Sequence, residues 1–287
     1  RVSAKRTAIG SFQGNLSSIK ATSLGSEVIK KNLKDLSIDP GEIDETIMGC
    51  VLPAGLGQAP ARQAAMEAGI PPESGATTIN KMCGSGMKAI MFGHDSIIAG
   101  HNNLVIAGGI ENMSNTPYVL PKVRDGLRMG HHQIKDHMFL DGLEDAYDEG
   151  KLMGSFAEDT AEHYQFTREQ QDNFSITSLE RAKKANENGT FNDEIVPVRV
   201  INKKSEIIIN KDEQPFKANI AKIPTLKAAF RKNGTVTAAN SSSISDGASS
   251  VVLMKESEAN RRGLQPLARI VTHSTNSQEP KWVTTAP

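Results

Sequence analysis

The feature that most constrains the fold is an alternation of short apolar runs with amphipathic segments over residues 1–114. The short runs, which we predict to be buried strands, are Thr46–Leu52, Ala76–Asn80 and Leu104–Ala107. The amphipathic segments, which have apolar residues at helical spacing, are Ser23–Leu36, Ala59–Ala68 and Gly84–Ala99. Strands that alternate with helices predict an α/β fold with a parallel-type sheet covered by helices. The Gly108-Gly109 pair is expected to end the last of these strands.

The alternation of predicted strands and helices stops after residue 114, and residues 115–244 are predicted to form an inserted α+β domain. Its clearest element is a helix that begins at Thr167, where Gln170 completes a capping box. A β-hairpin is expected over Ile195–Ile209, with its turn around residues 202–205.

The remaining residues are predicted to contain two further strands. The first, Val251–Met254, is followed by a charged helix that ends at Arg262-Gly263. The second is expected over Leu267–Thr272.

Charge and cysteine content exclude several classes of protein. The 287 residues contain 33 Lys and Arg against 33 Asp and Glu, so bulk charge gives no support for binding nucleic acid or an anionic membrane. No apolar run approaches the roughly 18 residues of a membrane span. Two cysteines are too few for a disulfide-stapled secreted chain, so a cytoplasmic location is predicted.

The segment Asn80–Met87 carries the strongest chemical signal. Cys83 stands between a predicted strand and a predicted helix, and the N-terminal end of a helix stabilises a thiolate. Gly84 and Gly86 allow a sharp turn and a close approach to a ligand. The pattern fits a nucleophile for acyl transfer, but a buried structural cysteine, as predicted for Cys50, is an equal alternative. The segment does not fit the Gly-x-Ser-x-Gly turn of hydrolases.

Four segments together resemble the thiolase family, and within it the acetyl-CoA acetyltransferases. They are Arg6–Gly14, Asn80–Gly86, Ala107–Ser114 and Asn240–Ala248. They occur in the family's order and at its spacing over essentially the whole chain. The resemblance implies a layered thiolase-like fold, in which 1–114 with 245–263 form the N-terminal half, 115–244 form a loop domain, and 264–287 begin the C-terminal half.

The resemblance also implies a reaction. Cys83 would accept an acetyl group from acetyl-CoA, and two acetyl-CoA would be converted reversibly to acetoacetyl-CoA and CoA. No cofactor is expected beyond CoA as substrate and product, and no metal. The partners would be acetyl-CoA and acetoacetyl-CoA, with no nucleic acid and no membrane, and the chain would form a homodimer or homotetramer.

Contacts with CoA are carried over to matching positions in the loop domain. The resemblance gives Ser242 a hydrogen bond to the pantetheine amide, and it gives Lys217 a contact with the ADP phosphates. Residues that would line the apolar tunnel or lie beside it are Met153, Phe230, Ala238 and Ile244. Biosynthetic members often have a histidine where this chain has Leu152. Each predicted polar contact has an alternative. Lys217 could be an ordinary solvated lysine, and Ser242 could be a helix-capping or loop serine.

Three family motifs do not occur in residues 1–287: a Cys-Gly-Gly-Gly segment, a His-Pro-x-Gly histidine and an Asn-Glu-Ala-Phe-Ala asparagine. In the family they supply acid–base groups and part of the oxyanion holes, so we predict little turnover by this chain alone. One alternative is a non-catalytic chain that binds CoA or supports a complete partner. Another is a cysteine hydrolase, which would need a nearby histidine and an orienting acid.

Other titratable residues have simpler interpretations. His131, His132 and His137 could recruit zinc, but the resemblance favours an oligomerisation arm that borders the CoA pocket. Structural pairing is expected for the carboxylates Glu111, Glu158 and Asp159. His94 and His101 follow Cys83 on its helix and are not placed to act as its base.

Overall fold

The structure is a computed structural model, and it describes residues 2–202 and 205–286. Its strands are β1 (Ser3–Thr7), β2 (Gly10–Ser11), β3 (Glu45–Gly49), β4 (Gly75–Ile79), β5 (Leu104–Asn112), β6 (Tyr118–Val119), β7 (Lys135–Asp136), β8 (Ile195–Val196), β9 (Val198–Asn202), β10 (Ser205–Ile209) and β11 (Ser245–Met254). Its α-helices are α1 (Ala21–Leu36), α2 (Pro60–Glu67), α3 (Ser85–Ile98), α4 (Met153–His163), α5 (Arg168–Glu187), α6 (Gln214–Lys217) and α7 (Glu256–Arg261).

The chain forms two compact units. The first, which we call the sheet unit, comprises Arg1–Thr116, Phe191–Glu213 and Ser245–His273. The second, the loop unit, comprises Pro117–Thr190, Gln214–Ile244 and Ser274–Pro287. The sequence analysis groups Phe191–Glu213 with residues 115–244, whereas β8 pairs with β1 and so joins the sheet unit.

The sheet unit is built on a seven-stranded sheet of order β4-β3-β5-β11-β1-β8, with β2 paired to β11. Parallel pairing joins β4, β3 and β5, and also joins β1 and β8. Because β11 is antiparallel to β5, β1 and β2, it runs against the other six strands. The expected α/β fold with a mainly parallel sheet is confirmed.

Alternate residues of β5 pack against helices on opposite faces of the sheet. Leu104 and Ile106 lie in a core cluster with residues of α1 and α2, whereas Val105 and Ala107 lie in a cluster with residues of α3. All four side chains are buried, as expected for a strand covered on both sides. The sheet unit is therefore a helix–sheet–helix sandwich.

The strand β5 does not end at Gly108-Gly109 as predicted, but continues to Asn112. A Cβ atom at position 108 would lie 2.0 Å from the carbonyl oxygen of Ser249 in β11, so glycine permits this close pairing. The strand predicted over Leu267–Thr272 is also wrong, since these residues form neither strand nor helix. An apolar run becomes a strand only where a partner strand is available to it, and none of the described strands pairs with this segment.

Two predicted elements of the middle region are confirmed. The helix α5 begins after Thr167, whose side chain accepts the Gln170 N–H while Gln170 returns a bond to the Thr167 backbone. The hairpin consists of β9 and β10, paired antiparallel; residues 203 and 204 of its expected turn lie outside the described residues. In the loop unit, the ring of Trp282 packs against His163 at the end of α4, with centroids 4.6 Å apart. Over residues 2–202 and 205–286, no helix combines the length and apolar character that crossing a membrane requires.

Candidate active site

Cys83 lies in the tight turn that joins β4 to α3 in the sheet unit. Met82, directly before it, has a φ of 49°, in the left-handed region that side chains other than glycine seldom adopt. The side-chain oxygen of Asn80 accepts the Met82 N–H at 2.9 Å, which stabilises this conformation as an Asx turn. The Cys83 side chain is exposed and is not part of a disulfide.

Ser85, the first residue of α3, closes the turn from the other side. Its hydroxyl accepts the Lys81 N–H at 2.8 Å and donates to the Met82 carbonyl at 2.5 Å. The N–H groups of Gly84 and Ser85 donate to the carbonyls of Lys81 and Met82. The sequence analysis expects the N-terminal end of this helix to stabilise a thiolate at Cys83, but these two N–H groups are used to hold the turn. Cys83 stands two residues before the helix begins.

Glycines allow the start of α3 to lie directly on the sheet. A Cβ atom on Gly49, at the end of β3, would lie 2.4 Å from the Ser85 carbonyl carbon. Gly86 faces the backbone of Gly108 and Gly109 in β5, where an added Cβ would be in ordinary contact at 3.7 Å. Since these contacts are between backbones, the position of the Cys83 turn is set by the rigid sheet.

The second cysteine, Cys50, has a different environment. It is 2% exposed, and its Sγ atom lies 3.8 Å from Glu111. Burial, together with the Glu111 charge, raises the pKa of the Cys50 thiol to about 12. Glu111 also accepts the N–H groups of Val51 and Leu52. Cys50 is thus a buried structural cysteine, and Glu111 has the structural role expected for it.

Several residues predicted to contact CoA lie in the loop unit, around α4. Met153 is the first residue of α4 and is half-buried. The ring of Phe230 lies against Gly154, where an added Cβ would meet it at 2.3 Å. Leu152 occupies the N-cap position of α4 without a side-chain cap. The start of α4 and Phe230 therefore form one contact region.

The neighbouring loop is held by buried polar groups. Glu158 of α4 is 3% exposed and accepts the N–H groups of Thr235 and Val236 at 2.9 and 2.8 Å. Asn240 donates to Asp172 and accepts the Thr237 N–H. Ala238 and Ser242 are exposed on this loop, and Ile244 is half-buried. The structure thus places Met153, Phe230, Ala238, Ser242 and Ile244 in the loop unit and Cys83 in the sheet unit.

Lys217 is the last residue of the short helix α6 and is exposed. Asp159 pairs with Lys151 and Arg231. Burial acts to raise the pKa of Asp159, but these two cations bring it below its usual value. The structural roles expected for Glu158 and Asp159 are consistent with these contacts.

The three histidines that invited a zinc interpretation do not come together as a ligand set. His131 and His132 are exposed. His137 is buried, and its Nδ1 atom lies 2.6 Å from Asp141. Within the part of the chain that the structure describes, the one group of three potential metal ligands lies elsewhere, in the sheet unit.

Sequence reasoning missed the residues that hold Cys83 in place: Gly49, Asn80, Met82 and Ser85. Asn80 could have been found, because an asparagine two residues before the donor N–H is a signal for an Asx turn. Gly49 could not, because its role depends on the tertiary approach of α3 to β3.

Comparison with known proteins identifies the family of this chain. Residues 2–257 match a family model described as thiolase, N-terminal domain. A probable acetyl-CoA acetyltransferase of Dictyostelium discoideum is 50% identical over 287 residues, which is 100% of this chain and 69% of that protein. An acetyl-CoA acetyltransferase of Pseudomonas aeruginosa is 48% identical, over 97% of this chain and 71% of its own length. The crystal structure of the Bacillus anthracis acetyl-CoA acetyltransferase matches with a TM-score of 0.94 and 40% identity, over 98% of this chain and 71% of that one. The family model and the relatives together establish that this chain belongs to the thiolase family.

Proposed function

We propose that this protein is an acetyl-CoA acetyltransferase in which Cys83 accepts the acetyl group. The complete reaction is the reversible condensation of two acetyl-CoA to acetoacetyl-CoA and CoA. The observation that carries the proposal is the exposed cysteine in a strained, hydrogen-bonded turn before α3. It is supported by the names of relatives that are about half identical to this chain.

In the first half-reaction, the Cys83 sulfur attacks the carbonyl carbon of acetyl-CoA. A bond forms between this carbon and Sγ, the bond to the CoA sulfur breaks, and the CoA thiolate takes up a proton in place of the one that Cys83 loses. Cys50 is unsuited to this step, because its thiol is buried and its pKa is raised to about 12.

We assign CoA binding to the loop unit. Ser242 would donate to the pantetheine amide, and Lys217 would meet the ADP phosphates. Met153, Phe230, Ala238 and Ile244 would supply apolar contacts. Support comes from the arrangement of α4 and the loop, where Glu158 and Asn240 hold the backbone while Ser242 and Ala238 remain exposed.

The second half-reaction needs a base. A proton leaves the methyl group of a second acetyl-CoA, the resulting carbanion attacks the acetyl-Cys83 carbonyl, and a carbon–carbon bond replaces the bond to Sγ. Residues 1–287 contain neither the His-Pro-x-Gly histidine nor the Cys-Gly-Gly-Gly cysteine of the family. We therefore propose that residues 1–287 carry out the first half-reaction and complete the cycle slowly on their own.

Intact-mass measurement after incubation with acetyl-CoA tests the proposal. The parent chain and Cys50→Ala should each gain one acetyl group, and Cys83→Ala should gain none. If no acetyl group is gained although calorimetry shows CoA binding, the chain is a non-catalytic CoA-binding protein. Acetylation that persists in Cys83→Ala would refute the assignment of the nucleophile. Sedimentation would test the further proposal of a homodimer or homotetramer.

A further inference from the structure

A second cluster of chemically active side chains lies in the sheet unit and has no part in the proposed reaction. It consists of His94 and Asp95, near the end of α3, and His273, which follows α7 by twelve residues of irregular chain. An Asp95 carboxylate oxygen lies 2.7 Å from His273 Nε2 and 3.2 Å from His94 Nδ1. Tertiary structure has thus brought together residues 178 positions apart.

The three side chains converge on one point. One potential ligand atom from each residue lies within 4.8 Å of the other two. The imidazole rings are 5.3 Å apart and nearly perpendicular, at 84°. These side chains come from a helix and from a separate segment, yet they point toward one another. In a run of charged surface residues, by contrast, neighbouring side chains spread into solvent.

We propose that His94, Asp95 and His273 bind a divalent transition-metal ion, for which Zn²⁺ is the best match. Two imidazole nitrogens and one carboxylate oxygen form a donor set that zinc accepts. Three protein ligands leave the fourth tetrahedral position to water. Magnesium and calcium are disfavoured, because they prefer sites made of oxygen ligands.

Binding would replace the present hydrogen bonds with metal–ligand bonds. A tetrahedral zinc site with bonds of about 2.0–2.1 Å places its ligand atoms about 3.4 Å apart. The Asp95–His273 and Asp95–His94 pairs, now 2.7 and 3.2 Å apart, must therefore open slightly. His273 can supply this movement because it lies outside the helices and strands.

Partial burial favours a specific site. The side chains of His94 and His273 are 22% and 25% exposed, while Asp95 is 55% exposed. His94 also lines a cavity of about 290 Å³ whose walls include Ile97, Ile98 and Ile270. One side of the cluster is therefore apolar, which strengthens charge interactions, and the other is open for a metal ion to enter.

Calorimetric titration with ZnCl₂ after treatment with a chelator tests the proposal. All measurements use a Cys83→Ala background, so that the exposed thiol cannot bind zinc. One Zn²⁺ per chain is expected. His273→Ala and His94→Ala should each weaken binding at least tenfold, since loss of even an outer-shell partner costs about 10- to 100-fold. His101→Ala, and His131→Ala combined with His132→Ala, are the controls and should bind as the parent does.

A second measurement separates true ligation from nonspecific binding. Co²⁺ in the site should give intense visible absorption bands of a tetrahedral complex, and these bands should disappear in His273→Ala and in Asp95→Asn. Circular dichroism in chelator confirms that each variant is folded; since His273 lies outside the regular elements, His273→Ala should fold even if His94→Ala does not. The proposal is overturned if His273→Ala binds Zn²⁺ as tightly as the parent. It is equally overturned if the His131 and His132 control abolishes binding.

Discussion

At the scale of single residues, the two cysteines show how environment decides the chemistry of one side chain. Cys83 is exposed at a turn, whereas Cys50 is buried beside a carboxylate that accepts two backbone N–H groups. A carboxylate near a thiol disfavours the thiolate, and burial does the same. The chain therefore exposes one thiol to solvent and keeps the other buried and protonated, although the two residues are of the same type.

This contrast predicts the outcome of thiol labelling. With iodoacetamide at pH 8, the folded chain should be labelled once, at Cys83, and the chain unfolded in guanidinium should be labelled twice. Cys83→Ala should give no labelling when folded. Equal labelling rates for the two thiols would contradict the assignment.

The raised pKa of Cys50 also predicts how the stability of the fold depends on pH. Because the Cys50 pKa of about 12 exceeds that of an unfolded thiol, at about 8.5, the folded state retains this proton as pH rises. Stability should therefore fall above about pH 8.5 and fall less in Cys50→Ala.

Ser85 is predicted to be a positioning residue for Cys83. Its hydroxyl is buried and bonds both Lys81 and Met82, so Ser85→Ala leaves a backbone N–H without its partner. We expect a loss of about 1–3 kcal/mol in the free energy of unfolding, measured with urea. Acetylation of Cys83 should also slow, measured by mass at timed intervals. Ser96→Ala is the matched control: Ser96 lies in the same helix and donates to the Gly93 carbonyl. Normal acetylation in Ser85→Ala would refute the positioning role.

At the scale of elements, the contact of α3 with β3 and β5 explains the position of Cys83, the proposed nucleophile. The helix can approach because Gly49 has no side chain at the crossing of α3 with β3. The sheet thereby fixes the start of α3, and the preceding turn is fixed with it. The packing of α3 on the sheet therefore also determines the position of Cys83.

Substituting Gly49 should therefore displace the helix. In Gly49→Ala, the new Cβ would lie 2.4 Å from the Ser85 carbonyl carbon and 2.6 Å from the Gly86 nitrogen, and neither backbone can yield. We expect a loss of about 1–3 kcal/mol or more in stability, together with slower acetylation of Cys83. The control is Gly75→Ala in β4, whose nearest contacts would be at an ordinary 3.4 Å. Equal effects of the two substitutions would show that the close approach is not what positions Cys83.

The sequence patterns predict the elements better than their pairing. Apolar spacing is local information, so it predicts α1, α2 and α3 close to their observed bounds. The capping box likewise predicts where α5 begins. The reversed direction of β11 and the pairing of β8 with β1 depend on residues far apart in sequence. The position of Cys83 between strand and helix was predictable for the same local reason. The contacts of Gly49 were not, because they exist only after the sheet is assembled.

At the scale of the whole molecule, the family segments have two kinds of role. Three of them meet within the sheet unit: Thr7 accepts the Ala248 N–H, and Ser114 donates twice to the buried Asp246. Burial raises the pKa of Asp246, which the two bonds from Ser114 oppose. These segments hold β1, β5 and β11 together, and the Asn80–Gly86 segment carries Cys83, the proposed nucleophile. Three of the four segments thus form the framework of the sheet, and the fourth positions Cys83.

The division into two units predicts that the loop unit can be weakened selectively. Glu158 accepts N–H groups from Thr235 and Val236 with its two carboxylate oxygens. In Glu158→Gln, the amide NH₂ replaces one of these acceptors, so a buried donor loses its partner. The expected cost is about 1–3 kcal/mol, and CoA affinity should fall with it.

The chain provides its own reporter for this effect. It has 1 tryptophan, Trp282, which packs on His163 at the end of the helix that carries Glu158. In Glu158→Gln the Trp282 fluorescence transition should move to lower urea, while alkylation of Cys83 in the sheet unit stays at the parent rate. Glu162→Gln, on the same helix but exposed and paired with Arg231, should shift the transition little. If Cys83 became more reactive at the same urea concentration at which Trp282 responds, the two units would unfold as one, and the separate assignment of CoA binding and acetyl transfer would lose its physical basis.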